Sequence, residues 1–211
     1  MTLTATVRSA TGIPAGSVTF SAITATGTRT LGSVALGSTG VATLGDATLE
    51  VGSYVFRADY GGGPLHQPST GTTATQVSVL SAYAFTGFLS PLKAAGSYEA
   101  PTYSGTQKLG SAIPVKWQLK DAGGAFVADL TTLRSLLAYP VACSPLGPPT
   151  GGTPLFLYVI PGGATGGSTF RYGSNAFIFN WDTTSGVKAG CFDLVLTLKD
   201  GTVKSTIVKL Q

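Results

Sequence analysis

Between Ile113 and Asp121 apolar and polar residues alternate without a break: Ile113, Val115, Trp117 and Leu119 fall on one side, Lys116, Gln118 and Lys120 on the other. A period of two is the mark of a β-strand with one buried and one solvated face. Shorter versions recur along the chain. Leu3, Ala5 and Val7 alternate with threonines, and residues 17–21, 31–36, 41–44, 54–60 and 73–79 have the same character. Clusters of turn-forming residues separate them at the roughly 8–12-residue spacing of a β-sandwich. The pattern predicts an all-β chain. Composition closes off the helical alternative, because there are 29 glycines and only 10% charged residues, whereas exposed helix faces are built from Glu, Lys and Gln. The one segment with ambiguous helical spacing is residues 130–136, Leu-Thr-Thr-Leu-Arg-Ser-Leu. Disorder is excluded by 43% hydrophobic residues against a net charge of only +4, which leaves ample apolar surface for a core.

Charge divides the chain. Residues 1–82 carry Arg8, Arg29 and Arg57 against Asp46, Glu50 and Asp59, with no lysine, whereas all of the net positive charge lies in residues 83–211. Two differently composed domains, 1–81 and 82–211, are the simplest reading. The lysines of the second half are scattered singly along alternating segments, without an Arg-rich run or an interleaved aromatic platform, so nucleic-acid binding is not expected. No window approaches the ~18 consecutive apolar residues of a membrane span, so membrane insertion is not expected either. The N-terminus alternates instead of presenting a basic segment and an apolar run, and it does not read as a secretory signal.

The first half carries a resemblance. Thr11-Gly12-Ile13-Pro14-Ala15-Gly16-Ser17-Val18-Thr19-Phe20, then Leu31-Gly32, Leu49-Glu50-Val51-Gly52-Ser53-Tyr54 and the ending Ala58-Asp59-Tyr60 resemble, in order and spacing, the bacterial Ig-like repeat of large surface and secreted proteins. The resemblance covers about residues 2–80 and implies an Ig-like sandwich. The chain departs from that pattern twice. The loop after Tyr60 contains Gly62-Gly63-Pro64-Leu65-His66 where the family has a Gly-Asp-x-Asn-Tyr type sequence, so a cation role for this loop is not expected. The family also places a strand ahead of Leu3-Thr4-Ala5-Thr6, and Met1 begins almost on that segment. The expectation is a sandwich lacking its first strand, with Thr2, Leu3, Thr4, Ala5, Thr6 and Val7 forming a candidate edge for strand addition by another chain.

In the second half Phe85-Thr86-Gly87-Phe88, the run from Gly110 to Trp117, the Cys143 segment, Phe179-Asn180-Trp181, Gly190-Cys191 and Asp200-Gly201-Thr202 are similar to the PxKD module of bacterial extracellular proteins. The resemblance covers about residues 83–211. It implies a second sandwich and an extracellular or cell-surface location, without an activity. The Asp200-Gly201 pair is a hairpin signal in its own right.

Cys143 and Cys191 are the only cysteines. An even count in a Gly- and Thr-rich β-protein fits a disulfide in an oxidising compartment, the alternative being two buried free thiols. Neither is a candidate nucleophile, since the single histidine, His66, lies in the other half and a catalytic cysteine needs a base or cation beside it. His66 itself, flanked by glycines and prolines, reads as a loop residue. Without a nucleophile elbow, paired carboxylates or clustered metal ligands, no catalytic, metal or cofactor site is expected. Trp117, Phe177, Phe179 and Trp181 lie on alternating strands and read as core. Tyr98, Tyr103, Tyr158 and Tyr172 lie nearer turns and are the candidate ligand aromatics, because a planar set of tyrosines is what a carbohydrate-binding sandwich presents to sugar rings. Three function classes follow: a non-catalytic structural or adhesion module of a surface or secreted protein; a subunit of a fibre, filament or virion coat; and a carbohydrate-binding accessory module. The expected partners are other protein subunits, upstream domains of a longer chain, or surface polysaccharide.

Overall fold

The computed structural model describes residues 1–45, 47, 49–93, 96–149, 151–160, 162–164 and 168–211. Its regular structure is all strand, apart from a three-residue 3-10 turn at Leu130–Thr132. The chain forms two compact units, Met1–Leu80 and Ser81–Gln211.

The first unit contains β1 (Leu3–Thr6), β2 (Ser17–Thr24), β3 (Gly27–Ala35), β4 (Val41–Leu44), β5 (Gly52–Tyr60), β6 (Ser69–Thr72) and β7 (Val77–Val79). One sheet is the antiparallel pair β1-β4; the other runs β3-β2-β5-β6, with β7 also paired to β5. Val18, Phe20, Ala42 and Tyr60 are buried between them, with Leu3, Ala5, Val7, Leu31, Val34 and Leu44 packed around. The alternation of Leu3, Ala5 and Val7 thus faces the core, while Thr4 and Thr6 are exposed. Two loops lock together beside Tyr60, whose hydroxyl donates to the Ala15 carbonyl at 2.6 Å. Gly16 sits there at φ +126°, and a Cβ on it would lie 2.5 Å from the Gly62 carbonyl oxygen, so only glycine serves.

The segment 73–79, expected as one strand, is instead irregular up to residue 76 and forms a strand only at its end, as β7. Phe56 donates its N–H to the Thr73 hydroxyl at 3.1 Å, and Thr73 N–H donates to the Phe56 carbonyl at 2.9 Å. A side-chain oxygen has taken the place of a ladder carbonyl, and pairing with β5 resumes only at Val77↔Tyr54.

The second unit contains β8 (Ala84–Leu89), β9 (Thr102–Gln107), β10 (Ala112–Lys120), β11 (Leu133–Val141), β12 (Leu155–Val159), β13 (Gly163–Ala164), β14 (Thr169–Gly173), β15 (Ala176–Asp182), β16 (Gly190–Leu198) and β17 (Val203–Leu210). A four-stranded sheet, β14-β15-β10-β8, accompanies a six-stranded sheet, β13-β12-β11-β16-β17-β9, whose β17-β9 pair is parallel. The inner positions of β10, β15 and β16 meet in one core, including Trp117, Phe177, Phe179, Trp181, Leu194 and Leu196. The alternation in β10 is realised as written, with Ile113, Val115, Trp117 and Leu119 buried. Two prolines lie inside strands without breaking them. Pro114 pairs with β15 below the point where β8 joins, and Pro140 pairs with β16 beyond the end of β12, so each has a strand neighbour on one side only.

Residues 130–136 form only one 3-10 turn, capped by the Asp129 carboxylate on Thr131 N–H, before β11 begins at Leu133. A register shift between Leu133 and Ser135 lets Leu133 and Leu136 both face the core, which produced the helix-like spacing. Asp200 and Gly201 turn β16 into β17, with Gly201 at φ +88°. Cys143 and Cys191 are joined by a disulfide with Cα atoms 5.3 Å apart, tying the segment after β11 to the start of β16 across 48 residues.

Candidate functional site

A cleft opens in the first unit, on the flank where β1 faces β5 and β6. Its volume is about 380 Å³, within the approximate 300–1,000 Å³ range of ligand clefts. Leu3, Thr4, Ala5, Thr6, Val7 and Arg8 form one wall; the residues of β6 with Thr73 form the other. The floor comes from Val18 and Phe20 of β2 and Phe56, Ala58 and Tyr60 of β5. These residues belong to the sandwich interior: Phe20 is 2% exposed and Phe56 6%.

Backbone geometry gives the wall its chemistry. Val7 N–H donates to the Gly40 carbonyl at 2.8 Å, one step beyond the Thr6↔Val41 register, and this fixes the phase of the ladder. Leu3, Ala5 and Val7 therefore exchange backbone hydrogen bonds with β4, while Thr4 and Thr6 turn their N–H and C=O groups to the opposite edge. Among the described residues β1 has no strand partner on that edge. On the opposing wall, Thr70 donates to Asp59 at 2.7 Å, and Asp59 also pairs with Arg57 at 2.8 Å. The cleft is thus apolar at its base, with a line of hydroxyls along one rim and free peptide groups along the other. Five of the six residues expected as an edge, Leu3 to Val7, line it; Thr2 lies outside the strand. The β6 wall was not legible in the sequence, because Ser-Thr-Gly-Thr has neither an apolar residue nor a motif.

The four tyrosines are placed differently from one another. Tyr158 meets Phe170 edge-on at 5.0 Å and Tyr172 meets Phe177 at 5.2 Å, so both flank the ring cluster in which Trp117 stacks on Phe170 and Phe177. Tyr103 is exposed on β9, and Tyr98 is half-buried in the segment between β8 and β9. Partial desolvation raises the Tyr98 phenol, aided by the charges of Tyr139, Glu99 and Asp193.

Two carboxylates of the second unit show how environment separates like groups. Asp193, fully buried on β16, accepts a hydrogen bond from the Ser205 hydroxyl through Oδ1, and its Oδ2 is buried without a partner among the described residues. Burial pushes its carboxyl up to about 6, against the lowering effect of Ser205. Asp200 is also raised by burial, but hydrogen bonds from Thr202, Ser81 and Ala82 outweigh this and hold it below the ordinary carboxylate value. It ties Ser81 and Ala82, at the start of the second unit, to the β16-β17 turn. His66 closes a tight turn by exchanging backbone hydrogen bonds with Gly63, and its Nε2 is screened from solvent. Among the described residues there is no group of three or more His, Cys, Asp or Glu able to hold a metal ion, and no helix long and apolar enough to cross a membrane.

Residues 1–79 match the bacterial Ig-like domain (group 3), a span that coincides with the first unit. No curated protein matches the chain. Among solved structures it is similar to a chimeric titin Z1Z2-Z1Z2 tandem carrying a GRGDS peptide from fibronectin, at 14% identity and a TM-score of 0.37, over 100% of this chain and 89% of that one. It is similar to the Bacteroides ovatus mixed-linkage glucan utilization locus protein SGBP-B, solved with a mixed-linkage heptasaccharide, at 14% identity and a TM-score of 0.28, over 100% of this chain and 40% of that one. A third similar structure is Dpr2 Ig1-Ig2 in complex with DIP-Theta Ig1-Ig3, at 11% identity and a TM-score of 0.32, over 100% of this chain and 90% of that one.

Proposed function

We propose that this chain is a non-catalytic structural or adhesion module of a bacterial surface or secreted protein, with a bacterial Ig-like domain at residues 1–81 and a PxKD-like sandwich at residues 82–211. The observation that carries the reading is the match of residues 1–79 to the bacterial Ig-like domain. The Cys143–Cys191 disulfide supports an oxidising, extracellular location. It also removes both thiols from nucleophilic chemistry, and the buried Asp193 and turn-bound Asp200 have their oxygens enclosed or engaged in structural hydrogen bonds. The module's role is to present and space surfaces, and its partners are other protein subunits or neighbouring domains.

The test is immunolabelling of intact, unpermeabilised cells of the source organism, paired with thiol titration of the unfolded, unreduced protein extracted from them. Labelling at the surface or in the medium with no titratable thiol is the expected result. A protein confined inside the cell with two free thiols would overturn the reading.

A further inference from the structure

We infer that the Cys143–Cys191 disulfide is a thiol-exchange site: an external thiolate attacks the Cys143 sulfur, stays on it as a mixed disulfide, and displaces Cys191 as the leaving thiolate. The incoming sulfur is oxidised and Cys191 is reduced, one S–S bond forming as the other breaks, and the electron pair leaves on the Cys191 sulfur. The proton that the incoming thiol gives to solvent is matched by the one Cys191 takes up. The inference goes beyond the structural-module reading, because it gives the second unit a covalent attachment point for a partner that bears a thiol.

Three observations carry it. The two halves of the bond differ in access: Cys143 is exposed together with Ala142, Ser144, Pro145 and Leu146, whereas Cys191, at the start of β16, is 4% exposed. Exchange needs a thiolate to reach one sulfur, so access selects Cys143 as the sulfur attacked and Cys191 as the one that leaves. The register then sets Lys209 of β17 directly opposite Cys191. Both side chains lie on the outer face of the sheet, since Phe192, Val208 and Leu210 fill inner positions. Directly opposed residues have Cβ atoms about 4.5–5.5 Å apart, which puts the ammonium within reach of the departing sulfur. A cation there lowers the thiol's pKa, and a thiol of lower pKa leaves faster. Asp193, on the same face of β16, opposes this, but it lies two residues along the strand, about 6.6 Å, and its carboxyl is held by Ser205. Finally, β11 and β16 stay joined without the sulfurs, through a ladder that runs from Leu133↔Leu198 to Val141↔Cys191. Opening the bond releases the exposed segment after β11 while the strands on either side remain paired, so exchange proceeds on the folded chain.

The experiment treats the full, folded chain with glutathione and, in parallel, with a short alanine-serine peptide that carries one central cysteine. Acid quenching, alkylation of the freed thiol and mass spectrometry of the digested chain then locate each adduct. Both thiols are expected on Cys143 at least about tenfold more often than on Cys191, at a rate that follows the thiolate fraction and is unchanged in sub-denaturing urea. Adduct from glutathione alone would keep the site and narrow its partners to small thiols. Lys209→Met should slow exchange by at least about threefold, whereas Lys209→Arg should keep the wild-type rate. Adduct on Cys191 or shared equally between the two cysteines, a rate that climbs with urea as unfolding does, or no adduct from either thiol would overturn the inference. Wild-type exchange in Lys209→Met would overturn the part given to Lys209. A surface-exposed, disulfide-bonded protein that fails these tests would leave the structural-module reading standing. Exchange at Cys143 in a protein that cells keep inside with free thiols would do the opposite.

Discussion

The two units solve the same architectural problem with unequal means. In the second, a four-stranded and a six-stranded sheet enclose nineteen buried core residues among those described, with Trp117, Phe177 and Phe179 at 0% exposure. In the first, a two-stranded sheet packs against β3-β2-β5-β6, and the corresponding cluster has four buried residues among those described. Burial of apolar area is the main stabilising term, at about 25 cal/mol per Å². The second unit therefore has the larger stabilising core, whereas the first, among the described residues, has a cleft along β1. An open flank and a small core are two aspects of one design, and each can be tested by treating the units as separate melting transitions.

The largest effect is expected from Trp117→Ala. The indole is fully buried and stacks on Phe177 at 5.4 Å and Phe170 at 5.7 Å, so truncation should destabilise the second unit by about 3–5 kcal/mol. Calorimetry should show that transition moving while the first unit's stays in place. A shift of both would show that the units do not melt independently. Next comes the double substitution Cys143→Ser and Cys191→Ser. It frees a 48-residue loop and should cost about 2–4 kcal/mol, again confined to the second transition and reproduced in wild type by reductant.

Asp193→Asn should act in the opposite direction. In the unfolded chain an aspartate titrates near about 3.9, whereas the native carboxyl is pushed up to about 6 by burial. Between those values the folded state holds more protons than the unfolded, so this group's stabilising contribution is complete below about pH 4 and is lost as the pH rises to about 6. The amide carries no charge to bury. The variant should therefore be more stable than wild type at pH 7, by on the order of 2–3 kcal/mol, with the advantage gone at pH 4. Urea melts of the second unit at both pH values decide it, and a constant difference would place the effect in packing.

How much of this was legible depended on the range of the interactions. The alternation of Ile113 to Leu119 predicted the buried face of β10 because strand periodicity is local, and Asp200-Gly201 predicted its turn because both residues act on their own backbone. The parallel pairing of β9 with β17 left no trace, since it joins Thr102 to Thr206 with no connecting pattern between them. At residues 130–136 a register shift imitated helical spacing. The candidate site was half legible: β1 showed as an alternating edge, but the polar β6 wall and the cleft between them arise only once the sheets pack.

The smallest expected effect comes from the break between β6 and β7. Thr73→Val keeps the side-chain volume and β-branching but removes the hydroxyl that accepts the Phe56 N–H at 3.1 Å. Phe56 is 6% exposed and lines the cleft, so the loss touches both the first unit's stability and its open flank. A buried donor left unpaired costs about 1–3 kcal/mol, but this N–H lies near a cleft that water enters, so about 1 kcal/mol is expected. The first transition should move by a few degrees and the second not at all. If the broken edge is a defect that β6 and β7 heal when the hydroxyl is gone, the variant will be as stable as wild type, and the amides between the two strands will gain protection from exchange. The unequal closure of the two units would then owe less to Thr73 than to the short sheet made by β1 and β4.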